Sequence, residues 1–357
     1  MERANVNQKA TKLPLFCKAS TFFRKITFFL YNLAIASLCK IMYNMNIVCI
    51  QYRKNGGIAV REIRLKARAK INLTLDVTGK REDGYHLLQS IMQTVALYDG
   101  IYMKRIAKPE IKLKTNLHWL PVDERNLAWK AANLMRETFG IKEGVFIEMD
   151  KRIPVAAGLA GGSADCAAVL VGMNRLFDLR LSQKKLEELA GQLGSDIPYC
   201  IRRGTVLAEG VGEVMTDVAF PCPDCYVVLA KLPVSVSTVS VYKGLNWQEV
   251  EEHPDTQAML TAMKEKDVSK MGSLLCNVLE TVTIPMHPKI AEIKNRLIEL
   301  GAEGALMSGS GPTVFALFTE RERARRAAAQ VKREFALKEC VATRIYQTAR
   351  ERKKENK

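Results

Sequence analysis

The chain has 357 residues, 48% of them hydrophobic, enough to bury the core of a two-domain protein and too many for a disordered or fibrous one. Its net charge of +16 raises nucleic acid or an anionic membrane as partners, but residues 1–60 hold nine Lys or Arg against one Glu, half of that excess. The remaining body is mildly basic, which suits an enzyme with anionic small-molecule substrates and requires no nucleic acid.

Residues 26–50, ITFFLYNLAIASLCKIMYNMNIVCI, follow a basic stretch and are apolar. Lys40, Asn32, Asn44 and Asn46 interrupt them, and each uninterrupted half is too short to span a bilayer. Three readings stay open for residues 1–61: a membrane anchor, a surface extension, or a segment that is not part of the working protein. The last two together fit best, because the regular pattern of a folded domain begins only near Glu62.

From there strands and helices alternate. EIRLKARAKINLTLDV (62–77) alternates apolar and polar residues as a pair of strands does, and GKREDGYH (79–86) is a polar turn. SIMQTVALYD, GIYMKRI and EIKLKT predict further strands. A helix is predicted over about 126–139, then a strand over 145–150 that leads into PVAAGLAGGSADCAA (154–168). A helical run follows over 164–177, and an amphipathic helix over 181–194 takes Ser182 as its N-cap and Gly194 at its C-terminal end. LGSDIP (193–198) sets Asp196 in a tight turn.

Cys222 and Cys225 form a C-x-x-C, but a single pair inside PCPDC reads as a loop between domains rather than a metal or redox site. The nine cysteines are scattered and show no disulfide framework, as expected of a reducing, cytoplasmic compartment. Beyond that loop, strand CYVVLAKL, several helices as far as Leu300, strands GALMS and TVFALF, a helix from Glu320 and strand ECVATRIY predict a second α+β domain. The expected division is therefore 1–61, 62–222 and 223–357, the last with a basic tail. His118, His253 and His287 carry no motif and are expected at the surface.

The run 154–163 joins a strand to a helix. Unpaired backbone N–H groups and the positive end of the helix dipole meet at such a junction and favour an anion. Gly158, Gly161 and Gly162 let phosphate oxygens approach the backbone, and Ser163 adds a hydroxyl. The Walker pattern is absent, since no Lys precedes the helix. Taken alone, the run fits a phosphate cradle and a plain structural turn equally.

Two further stretches, LGSDIP and MSGSGPTVFALF (307–318), stand with the early AKINLTL in the order and spacing of the three signature motifs of the GHMP kinases. The chain resembles that superfamily over 62–348. KINLTLDVTGKREDGYHLLQSIMQTVALYD and LAEGVGE (207–213) are most similar to the branch acting on 4-diphosphocytidyl-2-C-methyl-D-erythritol in the non-mevalonate isoprenoid route. The resemblance implies a two-domain α+β fold. Its N-terminal ATP-binding domain is of the ribosomal-protein-S5-domain-2-like type, and its C-terminal domain is ferredoxin-like. The implied reaction moves the γ-phosphoryl group of ATP to the substrate's 2-hydroxyl. ATP is the co-substrate and Mg2+ is expected with it, its protein ligands being unassigned.

By the same resemblance Lys70 and Asp196 are the catalytic residues. The carboxylate accepts the hydroxyl proton while the lysine pairs with it and neutralises charge near the phosphoryl group. ATP is expected on Pro154, Val155, Ala156, Ala157, Gly158, Leu159, Ala160, Gly161, Gly162 and Ser163, with Ser308, Gly309, Ser310 and Gly311 as a second glycine loop. Tyr85 and His86 match the residues that contact cytosine, Tyr242 the aromatic on the opposite side of the ring, with Thr238 near it. Asn72 is expected at the erythritol end. A related kinase of homoserine or mevalonate would keep Lys70, Asp196 and both loops without needing Tyr85 and His86. One departure concerns energetics: Ala160 stands where the family's loop more often has Gly, and a positive φ there would cost about 1 kcal/mol.

Overall fold

The computed structural model describes residues 48–54 and 57–355, with side chains from 60 to 352. Residues 1–47 of the expected extension, and with them nearly all of the apolar segment 26–50, lie outside the described residues. Strand β1 (Val48–Lys54) pairs antiparallel with the start of β2 (Gly57–Asn72), so regular structure begins before Glu62. Ile58 and Val60 are β-branched residues that carry the strand pattern back to that point.

A nine-stranded sheet is organised around one long strand. β3 (Thr74–Lys80) and β2 flank β4 (His86–Ile106), which runs for 21 residues instead of as two strands. No turn forms at Asp99 and Gly100, because Gly100 pairs with Lys66 on one side and with Asp150 on the other. β5 (Ile111–Thr115) and β6 (Gly144–Asp150) extend the sheet at one end of β4, and β7 (Thr205–Gly210) and β8 (Val214–Asp217) at the other.

Helix α1 (Leu127–Phe139) starts at Asn126, whose side chain accepts the N–H of Ala128, and stops at Gly140 in the left-handed region. α2 (Gly161–Leu176) lies between α1 and the sheet, and ten of its sixteen residues are buried. α3 (Gln183–Gly191) has the expected Ser182 cap, which accepts from the N–H of Lys185. It ends at Gly191 rather than Gly194, because the N–H groups of Gln192 and Leu193 bond three residues back, to the carbonyls of Leu189 and Ala190, and tighten the last turn into a 3₁₀ form. Asp196 is the first residue of a short helix, α4 (Asp196–Arg202), and not part of a bare turn.

The second sheet is antiparallel, in the order β11 (Gly304–Met307), β12 (Thr313–Phe318), β9 (Tyr226–Lys231), β13 (Glu339–Arg344). Taken in chain order these strands lie 2-3-1-4, the ferredoxin-like arrangement. α5 (Thr238–Gly244), α6 (Thr256–Glu265), α7 (Val268–Ser273), α8 (Glu280–Met286) and α9 (Lys289–Glu299) connect its first two strands, and α10 (Arg321–Glu334) its last two.

The two halves interlock, and the described residues form one compact unit. β10 (Cys276–Asn277), from the second half, pairs with β3 of the first sheet. Ala69, Ile71 and Leu73 share a core with Val227, Leu229, Phe315 and Leu317. The basic tail also returns to the first sheet: α11 (Ala349–Glu355) buries Glu351, whose carboxylate accepts the N–H of Thr205 at 2.8 Å. Cys222 and Cys225 are buried and free, in the connecting loop as expected, and burial pushes both thiols up. Among the described residues no three His, Cys, Asp or Glu side chains gather as a metal site, and no helix is long and apolar enough to cross a membrane.

Candidate active site

Where the two halves meet, a cleft of about 910 Å³ opens between the first sheet, the start of α2, α4 and α5. Lys70 reaches it from β2. Its side chain is nearly buried, and its ammonium lies 3.8 Å from the carboxylate of Asp196, which is 38% exposed. That separation is too long for a hydrogen bond. Lys70 instead donates to Oδ1 of Asn72 at 2.8 Å, Asn72 donates to Ser90 Oγ at 2.8 Å, and Ser90 donates to the Thr74 carbonyl at 2.6 Å. The chain of bonds fixes the ammonium and leaves the Asp196 carboxylate open to the cleft.

The glycine-rich run forms one wall. Ala156, Ala157, Gly158, Ala160, Gly161, Gly162 and Ser163 line the cleft, whereas Pro154, Val155 and Leu159 do not. Leu159 is buried, and its carbonyl accepts the N–H of Lys70 at 3.2 Å, tying the loop to β2. α2 begins on Ala160 with no side-chain cap, so the N–H groups of its first turn face the cleft without an intrahelical partner. The second glycine loop backs the first: Gly309 and Ser310 line the cleft, while Ser308 donates to the Gly158 carbonyl at 2.9 Å and Gly311 donates to Ser308.

Ala160 occupies the left-handed region at φ 54°, the case in which alanine is strained. Ala160→Gly is therefore expected to stabilise the protein by about 1 kcal/mol. Urea unfolding followed by circular dichroism checks this, and an unchanged or lower midpoint would show that the backbone at 160 carries no strain.

The far end of the cleft is aromatic. The rings of His86, at the start of β4, and Tyr242, on α5, lie 5.4 Å apart at 33°. Partial burial and then the charge of Lys80 lower the His86 imidazole, favouring its neutral form, which has one donor and one acceptor nitrogen. Tyr85 stands 65% exposed at the rim, and Thr238 shares a 2.9 Å hydrogen bond with Ser310, joining this end to the second glycine loop. All of the residues expected at the catalytic and acceptor ends thus line one cleft, together with Lys80 and Ser195, which lie within quoted motifs but were given no role, and Lys243, which carried no motif. His253 is at the surface as expected, and its Nδ1 lies 2.8 Å from Oδ1 of Asp76 on β3.

The sequence matches the family models described as the GHMP kinases N terminal domain, over residues 126–204, and GHMP kinases C terminal, over 259–337. It is 50% identical over 286 residues to the 4-diphosphocytidyl-2-C-methyl-D-erythritol kinase of Lachnoclostridium phytofermentans, covering 80% of this chain and 98% of that protein. The Bacillus subtilis kinase of the same name is 49% identical over 261 residues, 73% of this chain and 90% of that one. A crystal structure of 4-(cytidine 5'-diphospho)-2C-methyl-D-erythritol kinase superposes with a TM-score of 0.68 at 31% identity, covering 79% of this chain and 98% of that one. Homoserine kinase from Cytophaga hutchinsonii shares the fold at 20% identity, with a TM-score of 0.64 over 83% of this chain and 98% of that one. With the strand of Lys70, two glycine loops and an aromatic end converging on one cleft, the chain belongs to the GHMP kinase family, among its 4-diphosphocytidyl-2-C-methyl-D-erythritol kinases.

Proposed function

We propose that this cleft transfers the γ-phosphoryl group of ATP to the 2-hydroxyl of 4-diphosphocytidyl-2-C-methyl-D-erythritol, giving the 2-phosphate and ADP on the non-mevalonate route to isoprenoids. One observation carries the site assignment: a lysine and carboxylate 3.8 Å apart separate a phosphate-binding loop from an aromatic end within a single cleft. Asp196 takes the proton from the 2-hydroxyl as its oxygen attacks the γ-phosphorus, and the bond to the β-phosphate oxygen breaks. Lys70, oriented by Asn72, offsets negative charge beside the transferring group. The first-turn N–H groups of α2 and the Ser163 hydroxyl hold the triphosphate.

Magnesium enters as part of the MgATP substrate. It would take most of its oxygens from phosphates and water, and of the residues lining the cleft Ser163 and Asp196 would offer it a hydroxyl and a carboxylate. His86 addresses the edge of the cytosine, and Tyr242 and Tyr85 its faces.

ADP release from MgATP, with the cytidyl substrate beside homoserine, mevalonate and galactose, tests the reading. Turnover of the cytidyl substrate alone is expected. Tyr242→Ala should raise its KM about tenfold through lost stacking, with the KM for ATP unchanged. Preference for homoserine or mevalonate would reject the acceptor assignment.

A further inference from the structure

Beneath the phosphate loop, outside the cleft, three ionisable side chains are buried together. Asp99 in the middle of β4 is 0% exposed, and Lys151, just after β6, and Asp165, in the second turn of α2, are 7% and 3% exposed. The ammonium of Lys151 lies 2.5 Å from Oδ2 of Asp99 and 2.5 Å from Oδ2 of Asp165. The other oxygen of Asp99 accepts the N–H groups of Arg152, at 2.5 Å, and of Ile153, at 2.8 Å. A methyl group built on Gly161 would sit 3.0 Å from Ile153 and 3.6 Å from the Lys151 ammonium, so the cation lies directly under the first residue of α2.

Such a cluster is an expensive way to stabilise a fold. Each buried ion costs several kcal/mol of lost hydration, and apolar side chains of the same volume often serve stability as well or better. Asp165 is the one charged residue among the buried positions of α2, and its Oδ1 has no partner. Burial above all, and then the charge of Asp99, push its carboxyl up to about 8 against the lowering pull of Lys151. What the cluster supplies is geometry: it joins three separate elements at the two ends of the glycine-rich loop.

We propose that Asp99, Lys151 and Asp165 are positioning residues for the phosphate loop, a buried clamp that ties β4, the chain leading into the loop and the first turns of α2 together. The clamp sets the loop's N–H groups for the triphosphate before ATP arrives. This rests on the reading of that loop as the ATP site. The clamp lies outside the cleft, away from acceptor and reacting atoms, so its loss acts on ATP affinity.

Lys151→Met and Asp165→Ala are the variants to compare. The first leaves two carboxylates without their cation, and the second leaves a balanced pair of Lys151 and Asp99 but severs α2 from it. Wild-type turnover with MgATP and the cytidyl substrate is measured first, since its absence would reject the functional reading and not the clamp. Each folded variant, checked by circular dichroism, is expected to show at least a tenfold rise in the KM for ATP. The dissociation constant of a non-hydrolysable ATP analogue should weaken to match, with kcat within about threefold and the KM for the cytidyl substrate unchanged. Should Lys151→Met fail to fold, Asp165→Ala decides alone. Asp165→Asn, which keeps an acceptor for Lys151, should stay within threefold of wild type. A folded variant with an ATP KM within twofold of wild type, a fall confined to kcat, or an Asp165→Asn enzyme as impaired as Asp165→Ala would each overturn the proposal.

Discussion

Asp196→Asn is expected to lower kcat by roughly 10²–10⁴-fold while leaving the KM for ATP within a few-fold of wild type. The amide has the size of the carboxylate and fits the same place at the start of α4, but it cannot take a proton from the acceptor hydroxyl. The ammonium of Lys70 does not depend on Asp196 for its position, because it is held at 2.8 Å by Asn72 and through Asn72 by Ser90. The variant therefore removes the base and preserves the surrounding geometry. Single-turnover measurement at saturating MgATP isolates the chemical step. A kcat within tenfold of wild type would move the role of base to another group or to solvent, leaving Asp196 as a charge partner of Lys70. Lys70→Met serves as the complementary variant. It unseats both the charge near the phosphoryl group and the Asn72 network, so KM and kcat should shift together.

One wall of the cleft was legible because it is local: a strand running into a glycine turn and then a helix suits an anion, although that run alone fitted a plain turn equally, and Asn126 and Ser182 announce the helices that follow them. Lys70, Asp196, His86 and Tyr242 lie far apart in the chain and were named only through the resemblance to the GHMP kinases. β9, β11, β12 and β13 were marked by short apolar runs between polar segments, and the sheet they form has the expected class. What the sequence did not disclose depends on tertiary pairing. The single strand of 86–106 is held across Asp99 and Gly100 by neighbours on both sides, which no local pattern records. α11 docks through Glu351, which accepts from Thr205, and through Arg350, which pairs with Asp217 at 2.6 Å, in a tail that otherwise reads as solvated charge. Asp99, Lys151 and Asp165 stand 52 and 14 positions apart, and each is unremarkable in its own segment. The nearest local signal was an aspartate set in the otherwise small and apolar run of α2.

Gly158→Ala should be the most damaging small substitution in the loop, with a loss of about 10²-fold in kcat/KM and a clear loss of stability. Gly158 has φ +70°, where alanine costs about 1–2 kcal/mol. The larger difficulty is contact: a Cβ there would lie 2.0 Å from the carbonyl oxygen of Ser308 and 3.2 Å from that of Gly311. Both are backbone atoms of the second glycine loop, so no rotamer relieves the clash. The hydrogen bond from Ser308 to the Gly158 carbonyl, at 2.9 Å, opposes separation of the loops. Relief requires one loop to shift by an ångström or so. A displacement of that size at a phosphoryl-transfer site costs about 10²-fold, because the reacting atoms lose their alignment. Gly191→Ala is the matched control. That glycine ends α3 with nothing within 4 Å of the added methyl and an ordinary backbone, so the exchange should leave activity unchanged and stability equal or slightly higher. Similar kcat/KM values for the two variants would show that the glycine loops can part without cost and that their contact does not set the triphosphate's position.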